Sequence, residues 1–187
     1  MFLAAIAWLI FFSGIVLNKQ MNNNPQNSQE TQEITVVLET SLGVVEILLD
    51  KVNAPLTSAN FEKLAGQGFY NNLTMHRIIP GFVVQGGDPK GDGTGGPGYT
   101  IPAEIKLNHK RGSVATARLG DQANPTRASS GSQFYIALAD LPMLDGQYTV
   151  FGQVTAGMDI VDLMAAVQTD ENDKPLQPVT INKAYIK

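Results

Sequence analysis

Cysteine is absent from this chain of 187 residues, which excludes disulfide staples and thiolate chemistry and leaves the fold to stand on its apolar core. Positive charge is also scarce. Thirteen basic against 17 acidic residues give a formal charge of -4, too little cationic field to hold a phosphate backbone, so no nucleic-acid partner is expected. The only histidines, His76 and His109, belong to no HExxH or similarly spaced set, and no metal is expected. Serine nucleophile chemistry lacks its GxSxG turn. Residues 86 to 98 are rich in glycine but lack GK[ST] and lead into no periodic helix, so they read as a loop whose glycines permit unusual backbone angles rather than a phosphate cradle, with Asp88 and Asp92 stabilising its turns.

What is present falls into three parts. Residues 1–17, "MFLAAIAWLIFFSGIVL", carry no charged side chain and sit at the short end of a membrane span, which makes them a membrane anchor or signal segment. No basic n-region or small-x-small cleavage site is evident, which favours an uncleaved anchor. Lys19 alone flanks the run, so charge scarcely constrains topology; an anchored or exported domain on the extracytoplasmic side is the working expectation. Residues 18–33, "NKQMNNNPQNSQETQE", have hardly anything to bury and read as a disordered polar tether. Residues 34–187 form the folded domain.

In that domain, β-branched runs at Ile34 to Glu39 and Val44 to Leu49 flank Gly43 and predict a hairpin. Pro55 can start a helix that buries Phe61, Leu64 and Ala65 and stops near Gly66. Short strands are predicted at "LTMHRII", "GFVVQGG", "GSVATAR", "SQFYIAL" and "YTVFGQV". A second helix follows in "GMDIVDLMAAV", with Ile160, Leu163, Met164 and Val167 on its inner face, and "VTINKAYI" is a last strand. The expected fold is mainly β: an eight-stranded antiparallel closed barrel capped by two α-helices. Within it Arg77 interrupts an apolar run, and strand alternation puts Arg77 and Ile79 on the face opposite His76 and Ile78. A structural salt bridge is the ordinary role of such an arginine.

The blocks "FYNNLTMHRIIPGFVVQGGDPKGDGTGGPGY", "GSVATAR", "SGSQFYIAL" and "LDGQYTVFGQV" together resemble the successive signatures of the cyclophilin family of peptidyl-prolyl cis-trans isomerases, in a bacterial-like form. The resemblance covers residues 34 to 187. It implies a barrel with a proline-binding groove on its outer face, catalysis of rotation about X–Pro bonds in client proteins, a role in folding, no cofactor and a monomer. Arg77 and Gln85 match the family's catalytic pair. Phe82, Val83, Tyr135 and Leu144 match the ring pocket, Gln133 a further groove residue, and Ala117 and Arg118 the segment contacting the residue before proline.

Several positions depart from the common pattern. Tyr135 replaces a phenylalanine and brings a hydroxyl that needs a partner. Met143 stands where many eukaryotic members carry tryptophan, and Tyr148 replaces a common histidine, so weak cyclosporin binding is expected. Arg118 occupies a position often held by asparagine. A non-catalytic proline-peptide-binding module or holdase chaperone using the same groove is the rival reading, though a mere binder needs the apolar pocket more than the charge of Arg77.

Overall fold

A computed structural model describes residues 33–187. The apolar run 1–17 and all of the polar segment except Glu33 lie outside the described residues, as do the expectations placed on them. Among the described residues no helix is long and apolar enough to cross a membrane.

The chain opens with the expected hairpin, β1 (Thr35–Thr40) and β2 (Gly43–Leu49), in register from Thr35 opposite Leu48 to Thr40 opposite Gly43. Helix α1 (Pro55–Gly66) follows, with proline in its first turn. No neighbouring side chain caps it. Instead the carboxylate of Glu104 accepts the N–H groups of Leu56 (3.1 Å) and Thr57 (2.9 Å), placing an anion where the helix leaves donors unpaired. Then come β3 (Leu73–Thr74), β4 (Arg77–Ile79), β5 (Val83–Gly86), β6 (Thr100–Ile101), β7 (Ser113–Thr116), β8 (Ser129–Ser130), β9 (Phe134–Ala137), β10 (Val150–Ala156), α2 (Met158–Ala165) and β11 (Thr180–Ile186).

The principal sheet is antiparallel, nine-stranded and ordered β3-β11-β1-β2-β10-β7-β9-β5-β4, with β6 and β8 forming a separate ladder. The mainly β, antiparallel fold with two helices is as expected; the strand count and the full closure of the barrel are corrected. The sheet has two ends, β3 and β4, with no ladder between them. Only Met75 and His76 separate those ends along the chain, and three peptide links reach about 11 Å at most, so the sheet must curl until its edges nearly meet. The predicted strand "LTMHRII" is thus two edge strands on opposite sides of a seam. Residues from the 173–179 segment line that seam: Met75 N–H donates to Val179 O and Ile78 N–H to Asp173 O, both at 2.8 Å.

Inside the curl lies the core, whose centre is an aromatic cluster with Phe61 4.9 to 5.2 Å from Tyr70, Phe134 and Phe151. Helix α1 contributes Phe61, Leu64 and Ala65, as the spacing predicted. Helix α2 differs: it buries Val161 and Met164, while Leu163 is exposed. Its start is set by Gly157, whose φ of +82 and close approach to Val44 O leave no room for a side chain. Ile160 only flanks the core, as does Val167, which lies beyond the end of the helix.

Candidate active site

The strands β7 and β9 are buried on both faces, and β5 at all but the half-buried Gln85, because a second, smaller apolar cluster covers the outside of the sheet. Alternation sends Val84, Val114, Phe134 and Ile136 inward, and Val83, Ala115, Tyr135 and Ala137 outward. Sheet register then builds the site. Arg77 pairs with Gln85, Gln85 with Tyr135, and Tyr135 with Ala115, so four residues distant in sequence form one row on the outer face. The alternation predicted for Arg77 holds within the strand, where Ile78 is wholly buried while the Arg77 side chain is 41% exposed, but not for His76, which precedes the strand and lines the same groove as Arg77.

Above this row is a groove of about 460 Å³. Of the residues singled out in the sequence, Arg77, Gln85, Phe82, Val83, Arg118, Tyr135, Leu144 and Tyr148 line it. Three do not. Gln133 is buried beside it, Ala117 uses its backbone to bond Gln133 O (3.0 Å) and Ser130 N–H (2.8 Å), and Met143 is 61% exposed. Met143 and Leu144 share the tight 3-10 turn Pro142–Leu144, where adjacent side chains point about 120° apart, so only Leu144 faces the groove.

A line of amides fixes the guanidinium. Gln133 donates through Nε2 to the carbonyls of Gly93 (3.0 Å) and Gly95 (2.8 Å), and its Oε1 accepts from Gln85 Nε2 at 3.2 Å. Gln85 Oε1 in turn accepts from a terminal nitrogen of Arg77 at 3.4 Å. Gln133 therefore transmits the position of the glycine-rich loop to the arginine. That loop is itself held by Asp88: burial alone would raise its pKa, but N–H donors from Lys90, Gly95, Gly93 and Asp92 outweigh this and hold it below the ordinary 3.8.

The hydroxyl of Tyr135 has a partner after all, the buried His109. Asp145 accepts from His109 Nδ1 at 3.1 Å, which leaves Nε2 to accept the Tyr135 O–H at 2.9 Å. Burial lowers the pKa of His109 against the opposing pull of Asp145, which favours the neutral ring. Burial likewise raises the Tyr135 phenol far above 10, with Tyr148 adding to the rise and Arg118 opposing it. Tyr148 stands edge-on to Tyr135, and the guanidinium carbon of Arg118 lies 4.7 Å from the Tyr148 ring centre. Arg118 is not free: it binds Asp121, Gln147 O and Leu119 O.

The sequence reading missed His76, Gly91, Asp92, Gly93, Asn172 and Lys174 in the groove lining, and Asp173 beside Arg77. His76 adjoins Arg77 in sequence and so could have been found; the residues near 173 carry no local signal. Both ring nitrogens of the buried His76 lack partners among the described residues, and burial lowers its pKa despite nearby Asp88. No cluster of three or more metal-ligating side chains occurs among the described residues.

Residues 35–186 match the family model described as cyclophilin type peptidyl-prolyl cis-trans isomerase/CLD. The chain belongs to the cyclophilin-type isomerases. A peptidyl-prolyl cis-trans isomerase-like 1 of Emericella nidulans is 42% identical over 154 residues, covering 81% of this chain and 93% of the relative. A peptidyl-prolyl cis-trans isomerase of Helicobacter pylori is 45% identical over 130 residues, or 67% of this chain and 76% of that one. A Cryptosporidium parvum cyclophilin-type isomerase superimposes with a TM-score of 0.77 at 31% identity, covering 83% of this chain and 98% of the other. The same protein has been solved in the presence of the dipeptide Ala-Pro, with a TM-score of 0.76. This cyclophilin is accordingly a peptidyl-prolyl cis-trans isomerase, with the mainly β, two-helix fold of its family.

Proposed function

We propose that the groove beside Arg77 is the isomerase site, that it binds X–Pro segments of client polypeptides, and that Arg77 is its transition-state donor. The observation carrying this is the placement of an oriented guanidinium at the rim of a pocket walled by Phe82, Val83, Tyr135, Leu144 and Tyr148. A peptide bond resists rotation by about 18–20 kcal/mol because the nitrogen lone pair is delocalised into the carbonyl. For X–Pro the cis and trans forms differ by only about 0.5–1 kcal/mol, so the task is kinetic. As the amide twists, the lone pair returns to the prolyl nitrogen. A donor aimed there stabilises the twisted state more than either planar one. Arginine suits this role because guanidinium groups do not titrate and no proton is transferred.

The apolar walls hold the pyrrolidine ring, and Gln85 both orients Arg77 and offers an amide to substrate backbone. Arg118, engaged with Asp121 and stacked near Tyr148, shapes the wall rather than reaching for the residue before proline. The exposed Met143 offers no lid over the pocket, consistent with weak cyclosporin binding. An Ala–Pro dipeptide accompanying the related Cryptosporidium structure supports the substrate class. Residues 1–17 would tether this activity at a membrane, with the domain outside the cytoplasm and acting on exposed prolines of folding clients. A topology reporter fused after Lys187 that is active only in the cytoplasm overturns that placement.

The decisive experiment compares the cis-to-trans rate of a short Ala–Pro peptide with the parent and the Arg77→Ala variant. Loss of about 10²–10³ in kcat, the scale of removing one oriented donor, is expected while peptide binding persists. A parent that binds peptide without accelerating exchange is instead a binding module or holdase.

A further inference from the structure

Asp173 lies 96 residues from Arg77 in sequence yet places Oδ2 3.4 Å from the arginine Nε. Its backbone is held on both sides: the N–H donates to Asp170 O at 3.1 Å, and the carbonyl accepts from Ile78 N–H at 2.8 Å. The latter bond joins it to the residue directly after Arg77. The surrounding turn is braced by Asp170, whose carboxylate accepts from the N–H groups of Asn172 and Lys174, each at 2.9 Å. Asp173 also has φ +64, in the left-handed region where glycine is easiest and Asp or Asn is tolerated.

The pattern of contacts separates orientation from recognition. Asn172 and Lys174 line the groove, but Asp173 between them does not; its carboxylate faces Nε of the guanidinium. Gln85 engages the terminal nitrogen Nη1 from the adjacent strand. One terminal nitrogen, Nη1, therefore donates a hydrogen bond to Gln85, Nε is approached by the Asp173 carboxylate as an ion pair, and Nη2 has no protein partner among the described residues. A long arginine side chain held at one point can still swing; a hydrogen bond at Nη1 and a carboxylate facing Nε restrict it from two sides.

We infer that Asp173 is a positioning residue for Arg77, a carboxylate brought in on the 170–174 turn to fix the plane of the catalytic guanidinium. This rests on the assignment of Arg77 as the transition-state donor. Because each side chain of the pair is about two-fifths exposed, the effect is modest and sensitive to salt.

The test measures Ala–Pro isomerisation by the full chain, with Asp173→Gly, Asp173→Asn, Arg77→Ala and the double variant Arg77→Ala/Asp173→Gly. Asp173→Gly should lower kcat/KM about two- to fivefold, mostly through kcat, with its melting temperature within about 3 °C of the parent because glycine accepts the same backbone angle. Asp173→Asn, which keeps an acceptor and tolerates that angle, should recover most of the rate. Adding about 1 M salt should narrow the gap between parent and Asp173→Gly. The double variant should match Arg77→Ala alone. Equal rates for parent and Asp173→Gly, a faster variant, or an undiminished Asp173→Gly effect in the Arg77→Ala background each overturn the inference. If Arg77→Ala is itself as fast as the parent, the assignment of Arg77 fails instead, and the two failures are thereby distinguished.

Discussion

The hydroxyl of Tyr135 and Nε2 of His109 lie 2.9 Å apart in the buried layer beneath the groove, with Asp145 fixing the ring from its other nitrogen. One substitution relative to the common phenylalanine thus comes with a complete set of partners. Removing only the hydroxyl, in Tyr135→Phe, strands the histidine acceptor away from water. The variant should lose about 1–3 kcal/mol of stability, measured by urea unfolding, since an unpaired buried group costs its full desolvation. An unchanged urea midpoint would show that the hydrogen bond contributes nothing to stability.

Acidification should weaken the fold before any carboxylate titrates. His76 and His109 both have pKa values lowered by burial from the ordinary 6.5. In the unfolded chain each takes up a proton as pH falls through about 6.5, while the folded chain takes it up only at lower pH. Their stabilising contribution is therefore complete above about 6.5 and is lost as pH falls toward their lowered values. The urea midpoint should drop between about pH 7.5 and about pH 5.5; a midpoint that rises over this interval contradicts the burial of neutral rings.

Catalysis, by contrast, should be indifferent to pH above neutrality. Arg77 is assigned no proton transfer, His76 and His109 are neutral there, and the Tyr135 phenol is raised far above 10. The profile of kcat/KM from about pH 7 to about pH 9 should be flat within about twofold. A bell-shaped curve in that range would point to a general acid or base and sink the electrostatic mechanism.

Arg118 offers a test of how the groove wall is held. Its side chain is only 4% exposed and meets Asp121 at 2.6 Å, Gln147 O and Leu119 O at 2.8 Å, and the face of Tyr148. Arg118→Ala removes all of these, so stability should fall by about 1–3 kcal/mol and the KM for peptide should rise as Tyr148 loses its support. A variant with parental stability and KM would mean that the loop is held by its other contacts, among them Arg127 with Gly146 O.

How much of this was legible beforehand varies residue by residue. The hairpin and α1 follow from local pattern: Gly43 ends a turn, Pro55 begins a helix, and Phe61, Leu64 and Ala65 fall on one face. The inner face of α2 did not: it is Val161 and Met164 that are buried, on a helix whose start at Gly157 is fixed against Val44 O, a contact across 113 residues. "LTMHRII" reads as one strand because alternation is continuous through it; only the sheet order reveals a seam at Met75 and His76.

The same division holds at the site. The ordered blocks of sequence determined the family, the reaction, and eight of the side chains that line the groove, since those residues carry their chemistry in their identity and spacing. Tertiary structure decided the rest: that Gln133 works from behind through Gln85, that Met143 turns away while Leu144 turns in, that His109 satisfies Tyr135, and that Asp173 reaches Arg77. Each of these depends on which distant segments strand register and turns bring within hydrogen-bond range, and a direction set by the fold leaves no periodic signal in the local sequence.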